Sequence, residues 1–251
     1  MKLLNTFNLC FILLVSAIFS VKSLAQENSI KVPVDAWPPF RIISEDNKYR
    51  GIDFDFLSLL SKELDIEINY KRYPWSRSLA NMKAGTVDLI SGVAKTKERE
   101  EYIYYSKKPY YKCSTVFYIL NEAGNSIKSY SDLKNYQIGY VTNSAYFKKF
   151  DEDKTLNKKV VSSELELVRM LAFNRVDVII GTDCQADYDI SRLGFNHIIS
   201  KAEYKPGNEV NLYIGISKKS SLIKQVDKID KAIEKLLKEK KVEEISKKYF
   251  Q

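Results

Sequence analysis

Residues 73–111, YPWSRSLANMKAGTVDLISGVAKTKEREEYIYYSKKPYY, constrain the fold of this chain more than any other stretch. Helical spacing runs from Trp75 to Ala84 and stops at Gly85, a residue suited to the left-handed turn that closes a helix. Residues 87–90 then form an apolar run of strand length. A polar loop follows, then a second short helix carrying Arg99, and aromatic residues around Pro109 close the stretch. Helix, tight stop and buried strand in succession are the parts of a layered α/β fold. The segment is expected to build one wall of a ligand cleft and to supply its main charge, the rest of the chain giving the facing wall and the hinge.

The same unit recurs. Val176-Asp177-Val178-Ile179 follows a helix ending near Asn174, as Val87-Asp88-Leu89-Ile90 follows the helix ending at Gly85, which points to two similar lobes. Around these units strands and helices alternate. Residues 30–34 alternate as a strand, and two prolines make residues 35–40 a rigid loop. Ile52, Phe56, Leu57, Leu60 and Leu64 share one helix face, and residues 66–70 read as a strand. Beyond a β-rich run at 114–120 and a polar loop at 121–131, strands are expected at 137–141, 160–161, 176–180 and 212–217. Helices are expected from Ser144, from the capping box Ser163-Glu164-Leu165-Glu166 through Phe173, and as one long final helix carrying Leu222, Val226, Ile229, Ile233, Leu236 and Leu237. This alternation predicts a mainly parallel sheet with helices on both faces.

At 251 residues the chain has room for one large domain or two small ones. Residues 1–25 read as a secretory signal peptide: Lys2, an apolar run at 9–19, and the small residues Ser23 and Ala25 before the cut. The run falls short of the roughly 20 apolar residues of a membrane span, and Phe7-Asn8-Leu9 before Cys10 is poor for a lipoprotein site. A soluble periplasmic protein, cleaved after Ala25, is expected. The net charge of +8 includes Lys2 and Lys22. Much of the remainder lies beyond Lys218, where lysines alternate with acids as on a solvated helix face, so no nucleic-acid partner is expected. Cys113 and Cys184 remain, an even count in an oxidising compartment.

Several pieces share an order and spacing: Trp37-Pro38-Pro39-Phe40, Gly51-Ile52-Asp53-Phe54-Asp55, Gly85-Thr86-Val87-Asp88-Leu89-Ile90, Thr96-Lys97-Glu98-Arg99, Tyr105-Ser106, Pro109-Tyr110, Ile138-Gly139-Tyr140 and the final Tyr249-Phe250. Together they resemble extracytoplasmic solute-binding proteins of ABC importers, polar amino acid type (bacterial extracellular solute-binding protein family 3, periplasmic binding protein type II fold). The resemblance implies two doubly wound α/β lobes joined by a two-strand hinge. Lobe one would comprise 26–112 with 207–251, and lobe two 113–206. A small solute would close the hinge upon itself.

For an amino acid or small carboxylate, the resemblance makes Arg99 the carboxylate anchor, since a guanidinium donates two parallel hydrogen bonds. Thr96, at a helix N-terminus, adds donors to the same anion. Trp75 and Trp37 are either aromatic walls against the ligand or core, and Arg77 is either a second cation in the cleft or a solvated helix residue. From lobe two, Ser144 and Tyr146 lie where relatives add donors. Asp183 is the acid for an ammonium group or a cap of the next helix, with Thr182 competing because the family acid aligns there. Cys113 begins the strand entering lobe two and Cys184 follows the strand at 176–180; the resemblance sets those two strands side by side and antiparallel, which brings the cysteines within reach of a disulfide. Ala94-Lys95 and Ala145 replace hydroxyl residues of well-known amino acid binders, which leaves a related acid, a peptide fragment or an amine-bearing metabolite open as ligand.

The reading is a monomeric binding protein with no catalytic residue, metal or cofactor, partnered by a small molecule and a membrane ABC permease. A sensor that presents its ligand to a receptor is the alternative, and a small-acid dehydratase on the same fold a lesser one. His197 is the single histidine, and there is no nucleophile elbow or zinc-ligand spacing.

Overall fold

The computed structural model describes residues 29–46, 48–121 and 126–250. The expected signal peptide and Cys10 lie outside the described residues. The chain opens with β1 (Ser29–Val34) and, after the proline loop, a small hairpin of β2 (Ile42–Ile43) and β3 (Tyr49–Arg50). Helix α1 (Ile52–Leu64) buries its five apolar positions, and β4 (Glu67–Arg72) pairs parallel with β1. Then come α2 (Trp75–Ala84), β5 (Leu89–Val93), α3 (Lys97–Glu100), β6 (Ile103–Tyr105) and the long β7 (Tyr111–Leu120). Gly85 caps α2 at φ 79°, and a Cβ there would meet Lys219 Cβ at 2.6 Å, so both conformation and space ask for glycine.

The middle of the chain supplies β8 (Ile138–Val141), α4 (Lys148–Glu152), β9 (Lys158–Val161), α5 (Glu164–Ala172), β10 (Val178–Thr182), α6 (Asp183–Arg192) and β11 (Ile199–Lys201). The long β12 (Glu209–Ser217) returns beside β7, and α7 (Val226–Lys238) and α8 (Lys241–Ser246) end the chain.

The sheet is mixed, not mainly parallel. β8 pairs parallel with β9 and β10, but β12 is antiparallel to β5, β6 and β7, and β7 is antiparallel to β10 and β11. The cause is topological: β7 carries the chain out and β12 brings it back, so each meets its neighbours head to tail. The two cross where Tyr111 faces Leu212 and Ser114 faces Glu209. On one side, the core of Phe56, Leu60, Ile214, Ile216, Ile233 and their neighbours draws on both ends of the chain. On the other, clusters around Ile179 and Leu171, and around Phe117 and Phe150, come from the middle. Each fully buried side chain of this size contributes about 1.5–3 kcal/mol, which is ample for two separate cores.

The repeated Val-Asp unit has a structural counterpart. Asp88 donates its amide to Lys31 O at 2.8 Å while its carboxylate accepts from Lys31 N at 2.8 Å. Asp177 does the same with Gln137, at 3.1 and 2.7 Å. In each lobe this aspartate clamps the incoming strand to its parallel neighbourhood. Because the aspartate is spent on the clamp, β5 and β10 begin at Leu89 and Val178, later than their apolar runs suggest.

Two helix expectations are corrected. No helix starts at Ser144: residues 144–147 are extended or turned, and α4 begins at Lys148. The final helix is broken. A 3₁₀ turn at Ser221–Gln225 precedes α7, and Lys240 at φ 55° separates α7 from α8, which turns Val242 and Ile245 into the core. The capping box is only half made, since Ser163 Oγ accepts from Glu166 N while the Glu166 carboxylate takes Ser162 N instead.

Candidate functional site

The crossing of β7 and β12 leaves a groove between the lobes. Its outer part, about 820 Å³, is lined by Arg99, Thr96, Ser144 and Tyr146, within the size range usual for a small-molecule site. Its inner part is narrower. Trp37, Trp75 and Arg99 line it from one side, Ser144, Tyr146 and Thr182 from the other.

Arg99 is held from its own helix upward. Thr96 caps α3, its Oγ1 accepting from Arg99 N at 3.2 Å, and the short helix turns the arginine inward until it is 6 % exposed. With four residues α3 has no useful dipole, and the Thr96 side chain is already engaged, so Thr96 positions Arg99 and lines only the outer groove. Arg99 Nη1 donates to Ala94 O at 2.8 Å and Nη2 to Asn143 O at 2.5 Å. The second contact crosses the groove. Trp75 Nε1 donates to the same Asn143 carbonyl at 3.1 Å, and Asn143 Nδ2 donates to Ser76 Oγ at 2.9 Å. Asn143 reaches them from a left-handed turn, φ 55°, a conformation asparagine tolerates. The guanidinium carbon also lies 5.6 Å from the centre of the Trp75 ring. Burial lowers the Arg99 pKa, but a guanidinium starts so high that it stays charged.

Trp37 is in the groove and is not a free platform. Its ring stacks on Phe40 at 4.3 Å and carries the Arg41 guanidinium at 4.8 Å. Its benzo edge lies against Gly92, where a Cβ would come within 2.9 Å of both Trp37 and Arg41 and φ is +69°. Only glycine fits there. Tyr146 lines the groove, its hydroxyl oxygen accepting from Val141 N at 3.1 Å; burial raises the phenol's pKa. Ser144 is half-buried at the same rim.

Two expected site residues are not in the groove. Arg77 is exposed. It follows Trp75 by two residues, about 200° around a helix, so with Trp75 facing in, Arg77 faces solvent. Asp183 points to the hinge, its carboxylate accepting from Ser114 N at 2.8 Å, while Thr182, the last residue of β10, lines the inner groove. Consecutive residues at a strand end face opposite ways, and the hydroxyl, not the acid, faces in. Beside Asp183, Cys113 and Cys184 are joined, Sγ–Sγ 2.06 Å and Cα–Cα 5.6 Å, tying β7 to α6. The Cys113–Asp183–Cys184 group therefore offers a disulfide rather than two thiolates.

The inner groove also holds charges that no motif announced. Arg41, 4 % exposed, donates to Asp35 Oδ1 from Nη2 at 2.8 Å and to Asp53 Oδ2 from Nη1 at 2.6 Å. Asp53 also accepts from Ser91 Oγ at 2.8 Å and from the Tyr110 hydroxyl. Glu164 closes this end from lobe two. Its pKa is pushed up to about 7, first by burial and then by Asp35. The available signal for Arg41 was a charge directly after Pro-Pro-Phe in a buried loop. Glu164 read as the second residue of a helix cap.

A family comparison matches residues 30–251 to "Bacterial extracellular solute-binding proteins, family 3". The probable amino-acid-binding protein YxeM of Bacillus subtilis (strain 168) is 27 % identical over 210 residues, 82 % of this chain and 78 % of that protein. An ancestral arginine-binding protein bound to arginine superimposes with TM-score 0.76 at 23 % identity, covering 89 % of this chain and 99 % of that one. A histidine kinase sensor domain with similarity to periplasmic binding proteins gives TM-score 0.77 at 14 % identity, covering 88 % and 96 %. With a two-lobed α/β fold, a groove at the crossing strands and a match over nearly the whole described chain, this protein belongs to the bacterial extracellular solute-binding proteins, family 3.

Proposed function

We propose that this protein captures a small amino acid or related carboxylate between its lobes and delivers it to a membrane ABC permease. The observation that carries the reading is the buried Arg99 bridging the groove to Asn143 O, with both tryptophans beside it. The Asn143 carbonyl is a neutral acceptor on a charged donor. A ligand carboxylate at that place makes the stronger, charge-assisted bond and keeps Trp75 and Arg99 satisfied as the hinge closes. The amino acid relatives support this ligand class. In this reading lobe one is 26–112 with 207–251 and lobe two 113–206. The protein acts as a monomer in the periplasm after cleavage behind Ala25, and it releases its ligand unchanged.

A thermal-shift screen of amino acids and small carboxylates tests the reading. A ligand at one hundred times its dissociation constant adds about 2.7 kcal/mol of stability. Arg99→Ala is expected to abolish that gain, and an unchanged shift removes Arg99 as the anchor. The likeness to a sensor domain supports a second reading, presentation of the ligand to a receptor. Loss of solute uptake in cells lacking this protein favours the transporter, and unimpaired uptake favours the sensor.

A further inference from the structure

The two ends of the inner groove differ in charge. At one end stands Arg99, whose side-chain partners are carbonyls. At the other, Arg41 faces two carboxylates, Asp35 and Asp53, and Glu164 adds a third from the opposite lobe. One guanidinium against three carboxylates leaves this end negative, and it stays negative even with Glu164 protonated. Asp35 and Asp53 are occupied by Arg41. Among the described residues no cation and no side-chain donor lies within bonding distance of Glu164, whose carboxylate is met only by its own amide. A half-buried carboxylate in a cavity with no ion pair of its own, eased only by its place at the start of α5 and by the field of the already engaged Arg41, stays costly to ionise until a bound group supplies a closer positive charge.

The position matters as well. Thr182 stands where an acid for a ligand ammonium was expected, and Asp183 is turned to the hinge. Glu164 lies further in, beside Trp37 and Gln185. These residues also form the wall of a second pocket of about 250 Å³ that continues past Trp37 toward Asp189. Arg99 and Glu164 line the same inner groove, so a ligand whose carboxylate is held at Arg99 has Glu164 in the same cavity to meet its other end.

We propose that Glu164 receives a cationic group at the far end of the ligand, so that the groove selects solutes carrying a carboxylate at one end and a positive charge at the other. This rests on the reading of the interlobe groove as the ligand site. The groups facing Glu164 are Asp35 and Arg41 from the loop after β1, and Asp189, Arg192 and Tyr188 from α6. Asp189 is itself engaged with Arg192 at 2.9 Å and with Gln185, and Arg41 with its two aspartates, so Glu164 is the group left to titrate against the ligand.

The test is isothermal titration of the purified protein with L-arginine and with L-citrulline, which keeps the length and hydrogen-bonding shape but lacks the charge. Expected results are at least tenfold tighter binding of arginine, a preference below threefold in Glu164→Gln, and arginine affinity that rises from pH 6 to 8 in the parent but stays flat in the variant. Equal affinities for the two probes in the parent protein overturn the proposal without involving the variant at all. So does a Glu164→Gln protein that keeps the preference. If neither probe binds while a neutral amino acid from the screen does, and Arg99→Ala abolishes that binding, Glu164 loses this role and the groove reading stands. If the screen yields no ligand, both fall.

Discussion

At the scale of single residues, the groove is defined by charges in two different states of compensation. Arg41 is buried against the buried Asp53 and the half-buried Asp35; replacing it by methionine keeps the volume but strands both carboxylates. The expected loss is about 3–5 kcal/mol, read from the urea midpoint, and a loss below 1 kcal/mol would mean that the network is solvated. Glu164 has the opposite sign. A carboxyl whose pKa rises from 4.5 in the unfolded chain to about 7 in the fold binds more protons folded than unfolded between those values. Stability of the unliganded protein therefore falls as pH rises from about 4.5 to 7 through this group. Asp151, raised to about 6 by burial, acts in the same direction. The shift of Glu164 sets an upper bound of about 3 kcal/mol. Glu164→Gln should flatten the decline of melting temperature between pH 5 and 7.5, and an unaltered slope excludes Glu164 as its source. Arg99 was legible in the sequence because its helix signature, Thr-Lys-Glu-Arg, is local. Arg41 and Glu164 were not, because each owes its role to residues from another element, and an isolated charge in a sequence reads as solvated.

Among the elements, the most informative is the aspartate that precedes β5 in one lobe and β10 in the other. Asp88 and Asp177 make the same reciprocal bonds to Lys31 and Gln137, and Asp88 also accepts from Ser220 Oγ at 2.6 Å. Replacing either by alanine leaves a backbone amide without its charged acceptor, at an expected cost of about 1–3 kcal/mol. Because the two clamps lie in separate cores, the double variant should be additive within about 0.5 kcal/mol. A larger coupling in chemical denaturation would show that the lobes share one core. The Val-Asp echo was visible in the sequence as pattern, while its cause, a side chain closing a backbone pair, was not. The mixed sheet was hidden for a related reason: periodicity marks strands but does not give their direction, which here follows from β7 leaving and β12 returning. Asn143 is the opposite case, a turn residue with no hydrophobic signature whose carbonyl joins Trp75 and Arg99 across the groove.

For the whole molecule, the crossing strands and the disulfide beside them govern how the lobes move. The Cys113–Cys184 bridge spans 71 positions; by chain entropy, opening it should cost about 4 kcal/mol. In a protein of this size that is a fall of roughly 10 °C in melting temperature with reductant. A change of under 2 °C would mean that the bridge constrains the unfolded chain little. The overall plan was readable from the order of strands, stops and helices, since each follows from local periodicity. The contents of the groove were only partly readable, since they depend on which residues face each other after the hinge brings the lobes together. Both tryptophans of the chain, Trp37 and Trp75, line that groove, so tryptophan emission reports on it and nowhere else. Titrating a ligand from the screen while following emission and iodide quenching is the most direct test of the central claim. Ligand held between the lobes predicts a saturable one-site change in emission and a fall in quenching, both absent in Arg99→Ala. Calorimetric binding that leaves emission and quenching unchanged would place the ligand outside the groove.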